Sequence, residues 1–251
     1  MTQVRIISIE NPKPSKEAGP DLCPVHYNHS KFVIRRKYVE QVLFPQISNI
    51  KIGNTKIFSA VTPEHFSHLH ENGKTYGLYK GLKILVHYGC FGNFMSNFTI
   101  WQECIDINEP ILILEDDAFL PKNNEKIIKD ALDKYSNDHF NENAILYLLS
   151  QIPSQPTSLH EYHSKTKHKS LIKLINTSDL SGTAAYCVNP ITSKILINRA
   201  IQSGMMATDG FIHTCQKESL IDVLFPVNYK ECFMLHEHFA SWNHIHNGNM
   251  S

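Results

Sequence analysis

Three adjacent acidic residues, Glu115, Asp116 and Asp117, follow a run of four aliphatic residues, Ile111 to Leu114. Adjacent carboxylates repel one another, so the cluster costs stability unless a positive charge lies among them. Alternate residues of an extended chain point to the same side, and Glu115 and Asp117 are therefore expected to project together while Asp116 points away. Two carboxylates that leave other coordination positions of a metal ion open suit Mg²⁺ or Mn²⁺. The pattern predicts a cation held by Asp117 and Glu115 that bridges a diphosphate.

The same acidic cluster also has a purely structural interpretation. Asp and Glu are common just before helices, where they cap the first turn or lie in a solvated turn. The aliphatic run in front of the cluster predicts a central strand that is covered on both faces. Ligands of α/β sheets bind at the carboxyl ends of such strands, and this position favours a function for the carboxylates.

The composition limits the classes of protein to which the chain can belong. It has 251 residues, of which 42% are hydrophobic, with 24 basic and 24 acidic residues. The length and hydrophobicity suit one sizeable domain, and the balanced charge argues against a general attraction to nucleic acid or anionic membranes. None of the six cysteines forms a C-x-x-C pair, which argues against a zinc ribbon and favours a reducing compartment. The polar N-terminus and the lack of a long apolar run predict a cytoplasmic protein without a membrane span.

Predicted strands and helices alternate along the chain. The strands are expected at Val4–Ile9, Lys56–Val61, Ile111–Leu114, Ala144–Leu149, Thr183–Val188 and Val223–Pro226. The helices are expected at Phe32–Phe44, Phe94–Ile107, Asn123–Tyr135, Pro190–Ser203 and Phe211–Lys217, with a further helix that starts at Thr62 and a long loop over Ser150–Ser170. The alternation predicts an α/β fold with a mainly parallel central sheet flanked by helices. We expect a single domain over residues 1–251, in which residues 218–251 close the site.

Three blocks of sequence occur in the order found in a known enzyme family. The first comprises Tyr88–Phe91, Ser96–Trp101 and Asn108–Ala118, with a Gly-Cys pair, a Trp and the Glu-Asp-Asp cluster. The second is Ser181–Tyr186, with Gly-Thr-x-x-Tyr, and the third is Ala207–Phe211, with Thr-Asp. Together they resemble glycosyltransferase family 25, which includes lipooligosaccharide and procollagen galactosyltransferases. The resemblance implies a single GT-A (Rossmann-like) domain that binds a nucleotide sugar, commonly a UDP-sugar, and inverts the anomeric centre.

The resemblance also implies roles for individual residues. Asp209 becomes the candidate catalytic base, because inversion by direct displacement needs a carboxylate that takes the acceptor's proton. Without the resemblance, Asp209 before Gly210 is equally typical of a turn. The family's Ser-His is Ser96 and Asn97 here, so the role of that histidine is in doubt. The candidate contacts to the nucleotide sugar are Glu115, Asp116, Thr62, Gly182 and Thr183.

Histidine pairs near the C-terminus and two basic clusters add further candidates. His236-x-His238 and His244-x-His246 each place two imidazoles on one face of an extended chain, and His244 and His246 are counted among the candidate metal ligands. The basic clusters are typical of solvated surface, but they would also suit an anionic acceptor. If that acceptor were a modified base of phage-type DNA, transfer would fall steeply with salt. The residues concerned are Lys165, Lys167, Lys169, Arg35 and Arg36.

Two other classes of protein share parts of this pattern. A nucleotide-sugar-binding protein without turnover would keep the acidic cluster and tolerate Asn97 in place of histidine. A metal-dependent phosphohydrolase also uses paired aspartates, but it needs further carboxylates at strand ends, for which only Asp209 and Asp222 are candidates.

Overall fold

A computed structural model describes residues 2–10, 29–62, 70–71, 74–79, 82–137, 142–149, 159–161, 171–174 and 182–235. The strands, in chain order, are β1 (Gln3–Ser8), β2 (Thr55–Ser59), β3 (His70–Glu71), β4 (Lys74–Tyr79), β5 (Leu82–His87), β6 (Ile111–Glu115), β7 (Ala118–Phe119), β8 (Ala144–Tyr147), β9 (Leu159–Glu161), β10 (Leu171–Leu174), β11 (Ala185–Val188), β12 (Asp222–Pro226) and β13 (Met234–Leu235). The α-helices are α1 (His29–Tyr38), α2 (Phe44–Ile50), α3 (Tyr88–Ile107), α4 (Glu125–Asn137), α5 (Pro190–Ser203) and α6 (Thr208–Lys217). The six predicted strands correspond to β1, β2, β6, β8, β11 and β12, within two residues at each end, whereas β3, β4, β5, β7, β9, β10 and β13 were not predicted. Helix α3 starts at Tyr88, six residues before its predicted start.

One eight-stranded sheet organises the molecule, in the order β2-β1-β6-β11-β8-β12-β10-β9. Strand β1 is parallel to both β2 and β6, and β8 is parallel to β12. Strand β11 is antiparallel to β6 and β8, and β10 is antiparallel to β12 and β9. All strands of this sheet except β10 and β11 therefore run in the same direction. The fold is α/β with a mainly parallel sheet, as predicted.

The predicted central strand β6 lies in the hydrophobic core. Its residues Ile111 to Leu114 are fully buried between β1 and β11. Helix α3 covers the sheet with a stripe of aromatic side chains, and the Phe94 ring meets the Phe211 ring of α6 edge-on at 5.1 Å. This aromatic contact joins the two helices that flank the carboxyl end of β6.

Helix α5 begins and ends where its sequence predicts. The Asn189 side chain accepts a hydrogen bond from the backbone N–H of Thr192 at 2.8 Å, and Pro190 occupies the first turn. Gly204 follows the last residue with φ = 84°, a conformation that favours glycine. Both ends therefore follow from local capping chemistry.

The first helical segment differs from the prediction, which ended it before Pro45. Helix α1 continues through a π-helical turn, Val39–Leu43, into α2, which ends at Ile50. Proline lacks an N–H and clashes with the carbonyl four residues earlier in a regular α-helix. A wider π turn directly before Pro45 changes that spacing, so the helix continues past the proline.

The prediction of a loop over Ser150–Ser170 is wrong for part of that segment. Strand β9 lies inside it and pairs with β10 at the edge of the sheet. Strand β9 is short and polar, so it forms because it pairs with β10 and not because its own sequence pattern favours a strand.

The described part of the C-terminal segment returns to the centre of the fold. Leu149 forms a parallel bridge with Phe233, and β13 pairs antiparallel with β7, so that Leu235 lies opposite Ala118. None of the helices that the structure describes is both long enough and apolar enough to cross a membrane.

Candidate active site at the carboxyl end of strand β6

The acidic cluster lies where strand β6 ends and a turn begins. Glu115 is the last residue of β6, and Asp116 and Asp117 form the turn before β7. The Arg35 guanidinium of α1 donates from one nitrogen to Asp116 Oδ1 at 2.8 Å and from the other to Asp117 Oδ2 at 3.1 Å. These three side chains are almost completely buried. One guanidinium therefore holds both aspartates of the turn.

This geometry corrects the predicted orientation of the three carboxylates. Asp116 and Asp117 bind the same guanidinium, because the strand alternation stops at Glu115 and the turn brings both aspartates toward α1.

The two described arginines of the predicted basic surface have other partners. Arg35 is only 8% exposed and is paired with Asp116 and Asp117, so its place on a phosphate-contacting surface was wrongly predicted. Its charge is used inside the fold to offset the buried carboxylates. Arg36 pairs with Glu40 one turn further along, at 2.6 Å.

Glu115 has neutral hydrogen-bond donors on its side of the cluster. The Thr183 hydroxyl donates to Glu115 Oε1 at 2.5 Å, and Asn93 Nδ2 of α3 donates to the same oxygen at 3.0 Å. Burial, followed by the charge of Asp117, raises the pKa of Glu115 to about 7, although these two hydrogen bonds act in the opposite direction. A cation near this carboxylate would relieve the same penalty.

The segment before β11 connects Asp209 to Glu115. The backbone N–H of Gly182 donates to Asp209 Oδ2 at 3.2 Å, and the next residue is Thr183, which binds Glu115. Gly182 has φ = 85°, so a side chain here would strain the backbone. Its carbonyl accepts from the Tyr147 hydroxyl at 3.0 Å. The structure thus brings together four of the predicted site residues, and it gives Gly182 a conformational role as well.

Asp209 lies in the first turn of α6, which starts at Thr208 rather than at the predicted Phe211. Its Oδ1 accepts from the backbone N–H of Gly210 at 2.8 Å, while Oδ2 faces Gly182. An aspartate is well placed at this end of a helix, because the unpaired N–H groups of the first turn carry partial positive charge.

Asn93 is the site residue that sequence reasoning missed. Its Nδ2 binds Glu115, and its Oδ1 accepts from the Thr208 hydroxyl at 2.5 Å and from Asn97 Nδ2 at 3.1 Å. Asn93, Asn97 and Trp101 follow one another at intervals of four residues on α3, which places them on one face of the helix. The signal in the sequence was that Asn93 and Asn97 place two amides in an otherwise aromatic stripe of α3, which indicates buried hydrogen bonds.

Helix α3 also approaches the end of β2 closely, beside Thr62. A side chain at Gly92 would lie 2.5 Å from the carbonyl oxygen of Val61, so only glycine fits there. The Ser96 hydroxyl accepts from the Val61 N–H at 2.9 Å and donates to the Gly92 carbonyl at 2.8 Å. This contact anchors the chain that leads into Thr62.

Several predicted residues lie outside the described part of the chain. They are His244 and His246, Lys165, Lys167 and Lys169, and the expected helix residues that follow Thr62. Among the residues that are described, no group of three or more His, Cys, Asp or Glu side chains has the geometry of a metal site.

The arrangement brings carboxylate and hydroxyl oxygens together at one end of a mainly parallel sheet, where α/β proteins bind their ligands. The sequence profile of the family described as glycosyltransferase family 25 (LPS biosynthesis protein) matches residues 31–212, almost three quarters of the chain. That range contains every hydrogen bond of the cluster described above. A search among curated proteins gave no match. The chain therefore belongs to glycosyltransferase family 25 and is a transferase that acts on a sugar donor and an acceptor.

Proposed function

We propose that this glycosyltransferase moves a sugar from a UDP-sugar to a hydroxyl acceptor by an inverting displacement assisted by Mn²⁺ or Mg²⁺. The observation that carries the proposal is the connection of Glu115, through Thr183 and Gly182, to Asp209. A nucleotide-sugar site needs oxygen donors near the diphosphate and a base near the acceptor, and this connection joins the two.

The donor set suits a cation that is shared with a diphosphate. Mg²⁺ commonly binds through one or two carboxylates together with substrate phosphates and water. Glu115 and Asp117 would supply the protein oxygens, and the raised pKa of Glu115 is consistent with a place for positive charge. Arg35 already binds Asp117 Oδ2, which limits that residue to a share in the coordination. The cation would neutralise charge that develops on the leaving diphosphate.

Asp209 is the proposed base. The acceptor oxygen would attack the anomeric carbon, the bond from that carbon to the diphosphate oxygen would break, and Asp209 would take the hydroxyl proton as UDP leaves. The amides of Gly182 and Gly210 fix both carboxylate oxygens, which restricts the direction in which Asp209 can accept. Holding a base in one orientation reduces the entropy lost on reaching the transition state.

The test of the proposal is a binding and turnover comparison. We expect Mn²⁺ with UDP-sugars to raise the melting temperature, and UDP to be released when an acceptor is added. Asp209→Asn should keep UDP-sugar binding and lose at least about 100-fold in transfer, which is the usual contribution of a general base. Asp222→Asn, at a partly exposed ion pair with Lys173, is the matched control and should leave transfer unchanged.

Each other outcome has a definite meaning. Near-normal turnover of Asp209→Asn would remove that residue from the mechanism. UDP-sugar binding without UDP release, over a broad acceptor panel, would favour a binding protein without turnover. A panel in which no nucleotide sugar changes the melting temperature would overturn the proposed donor class.

A further inference from the structure

A chain of buried hydrogen bonds leads from the hydrophobic core to Glu115. The Trp101 indole Nε1 donates to the Tyr186 hydroxyl at 2.9 Å, and that hydroxyl donates to Asn97 Oδ1 at 2.6 Å. Asn97 Nδ2 then donates to the side chain of Asn93, whose own Nδ2 donates to Glu115. The side chains of Trp101, Tyr186 and Asn97 are fully buried. They therefore act on the site through Asn93, without touching a ligand.

The direction of this chain is fixed by its first member. An indole N–H can only donate, so the Tyr186 oxygen accepts from Trp101 and its single hydrogen is left for Asn97. The atom of Asn97 that faces Tyr186 must then be the carbonyl oxygen. Its NH₂ group consequently faces the opposite way, toward Asn93, where it also meets the backbone carbonyl at 2.9 Å.

The same reasoning fixes the amide of Asn93. Its Oδ1 receives two donors, Asn97 Nδ2 at 3.1 Å and the Thr208 hydroxyl at 2.5 Å. Its NH₂ group is therefore turned to Glu115, where it meets Oε1. A reversed Asn93 amide would face the carboxylate with a carbonyl oxygen and would place its NH₂ group against the NH₂ group of Asn97. Both mismatches would leave buried polar groups without a partner, and such groups are costly, so the orientation shown is strongly favoured.

Glu115 is held by one oxygen as a result. Among the described residues, the hydrogen bonds from Asn93 and Thr183 both reach Oε1. A carboxylate oxygen that accepts two hydrogen bonds has little capacity left, whereas the other oxygen keeps its lone pairs for a ligand. The chain of buried hydrogen bonds thereby determines that Oε2 is the oxygen of Glu115 that can bind a ligand.

We propose that Asn97 is a positioning residue, which sets the polarity of the hydrogen-bond chain so that Glu115 keeps Oε1 on the protein and turns Oε2 to the donor substrate. This rests on the proposed function, in which Glu115 binds the metal–nucleotide unit. Any side chain with one donor and one acceptor in the right places can fill the position. A neutral imidazole meets that requirement, and a leucine of nearly the same shape as asparagine does not.

The experiment measures binding of Mn²⁺ with UDP by calorimetry. Asn97→Leu should weaken binding by about 10–100-fold, the usual cost of removing an outer group that orients a ligand side chain. Asn97→His should stay within about 3-fold of the unchanged protein, because it restores a donor and an acceptor. Tyr186→Phe should also weaken binding, but by less than Asn97→Leu does, because Asn97 then loses only the hydrogen bond from the Tyr186 hydroxyl. It also carries the test if Asn97→Leu does not fold.

A double-mutant cycle separates positioning from general destabilisation. In a Glu115→Gln background, Asn97→Leu should have little further effect on binding, because the group that it orients has been changed. Equal losses in both backgrounds would show a merely structural role and overturn the proposal. Unchanged binding of both Asn97→Leu and Tyr186→Phe would overturn it as well.

Failure of the proposed function gives a different result. If the unchanged protein does not bind Mn²⁺ with UDP, the proposed sugar donor is wrong. The hydrogen-bond chain is then tested separately by NMR. The side-chain NH₂ protons of Asn93 should then be protected from exchange in the unchanged protein and lose that protection in Asn97→Leu. The same protection in both proteins would overturn the directional chain.

Discussion

The two sides of the acidic cluster are built in different ways. On the α1 side, one buried guanidinium binds two carboxylates, Asp116 and Asp117. On the α3 and β11 side, Glu115 has the neutral donors Asn93 and Thr183, and its pKa is raised to about 7. The ionic side offsets its charge inside the protein, whereas the neutral side orients a carboxylate without neutralising it. The difference indicates that α1 fixes the turn, and under the proposed function Glu115 is then the carboxylate with the larger share in binding the cation.

The largest expected effect comes from removing the ionic side. Arg35→Met leaves two buried carboxylates without their guanidinium, and the free energy of unfolding should fall by about 3–5 kcal/mol. Urea denaturation in EDTA measures it. Arg36→Gln, on the same helix but in a more exposed pair with Glu40, is the control and should cost at most about 1 kcal/mol. Equal losses in the two variants would show that the buried pair contributes no more than the surface pair.

A smaller effect of the opposite sign is expected from Glu115→Gln. A carboxyl whose pKa is higher in the folded protein than its ordinary 4.5 binds its proton more tightly when folded. The contribution of Glu115 to the stability of the unchanged protein is therefore fully present below that ordinary value and is lost as the pH rises through about 7. The variant lacks this loss and, without metal, should be the more stable by about 2–3 kcal/mol near pH 8.

The control for this pH dependence is Glu218, whose pKa is lowered by its hydrogen bonds with Arg199. Its contribution to stability is present at neutral pH and is lost as the pH falls, so Glu218→Gln should change the acid side of the profile. A stability profile of Glu115→Gln that parallels that of the unchanged protein from pH 4 to pH 8 would contradict the assigned environment of Glu115.

The smallest effect tests one donor on the neutral side. Thr183→Val removes the hydroxyl that binds Glu115 and should lower the free energy of unfolding by about 1.5 kcal/mol near pH 8, where the carboxylate is charged. Thr183→Ser keeps a hydroxyl and should recover most of that loss. The pair is compared by thermal denaturation, and a valine variant as stable as the serine variant would speak against the hydrogen bond.

Much of the fold could be predicted because local chemistry determines it. Four aliphatic residues predict β6, and Asn189, Pro190 and Gly204 define helix α5 at both ends. The continuation of the first helix past Pro45 was missed, because a π turn leaves no clear pattern in the sequence. Short polar strands such as β9 depend on a paired neighbour and were missed for that reason.

The residues of the candidate site could be predicted from the sequence, but the side chains to which they are hydrogen-bonded could not. The positions of Glu115 and Asp209 follow from a strand end and from the family resemblance. The partner of Asp116 and Asp117 is Arg35, more than eighty positions away in the sequence. Spacing along the chain carries no information about such a contact, and the basic cluster around Arg35 was consequently expected on a surface. Asn93 was missed because two of its partners, Glu115 and Thr208, come from segments that are distant in the sequence.

The pairing of β13 with β7 has a consequence for the histidine-rich end of the chain. Leu235 lies opposite Ala118, the residue next to Asp117, so the segment that follows starts from an attachment point beside the acidic turn. Its histidines include His236 and His238 as well as His244 and His246. The pairing of β13 with β7 therefore fixes the last described residue of the chain beside the acidic turn, and the role of His244 and His246 as metal ligands stays a prediction.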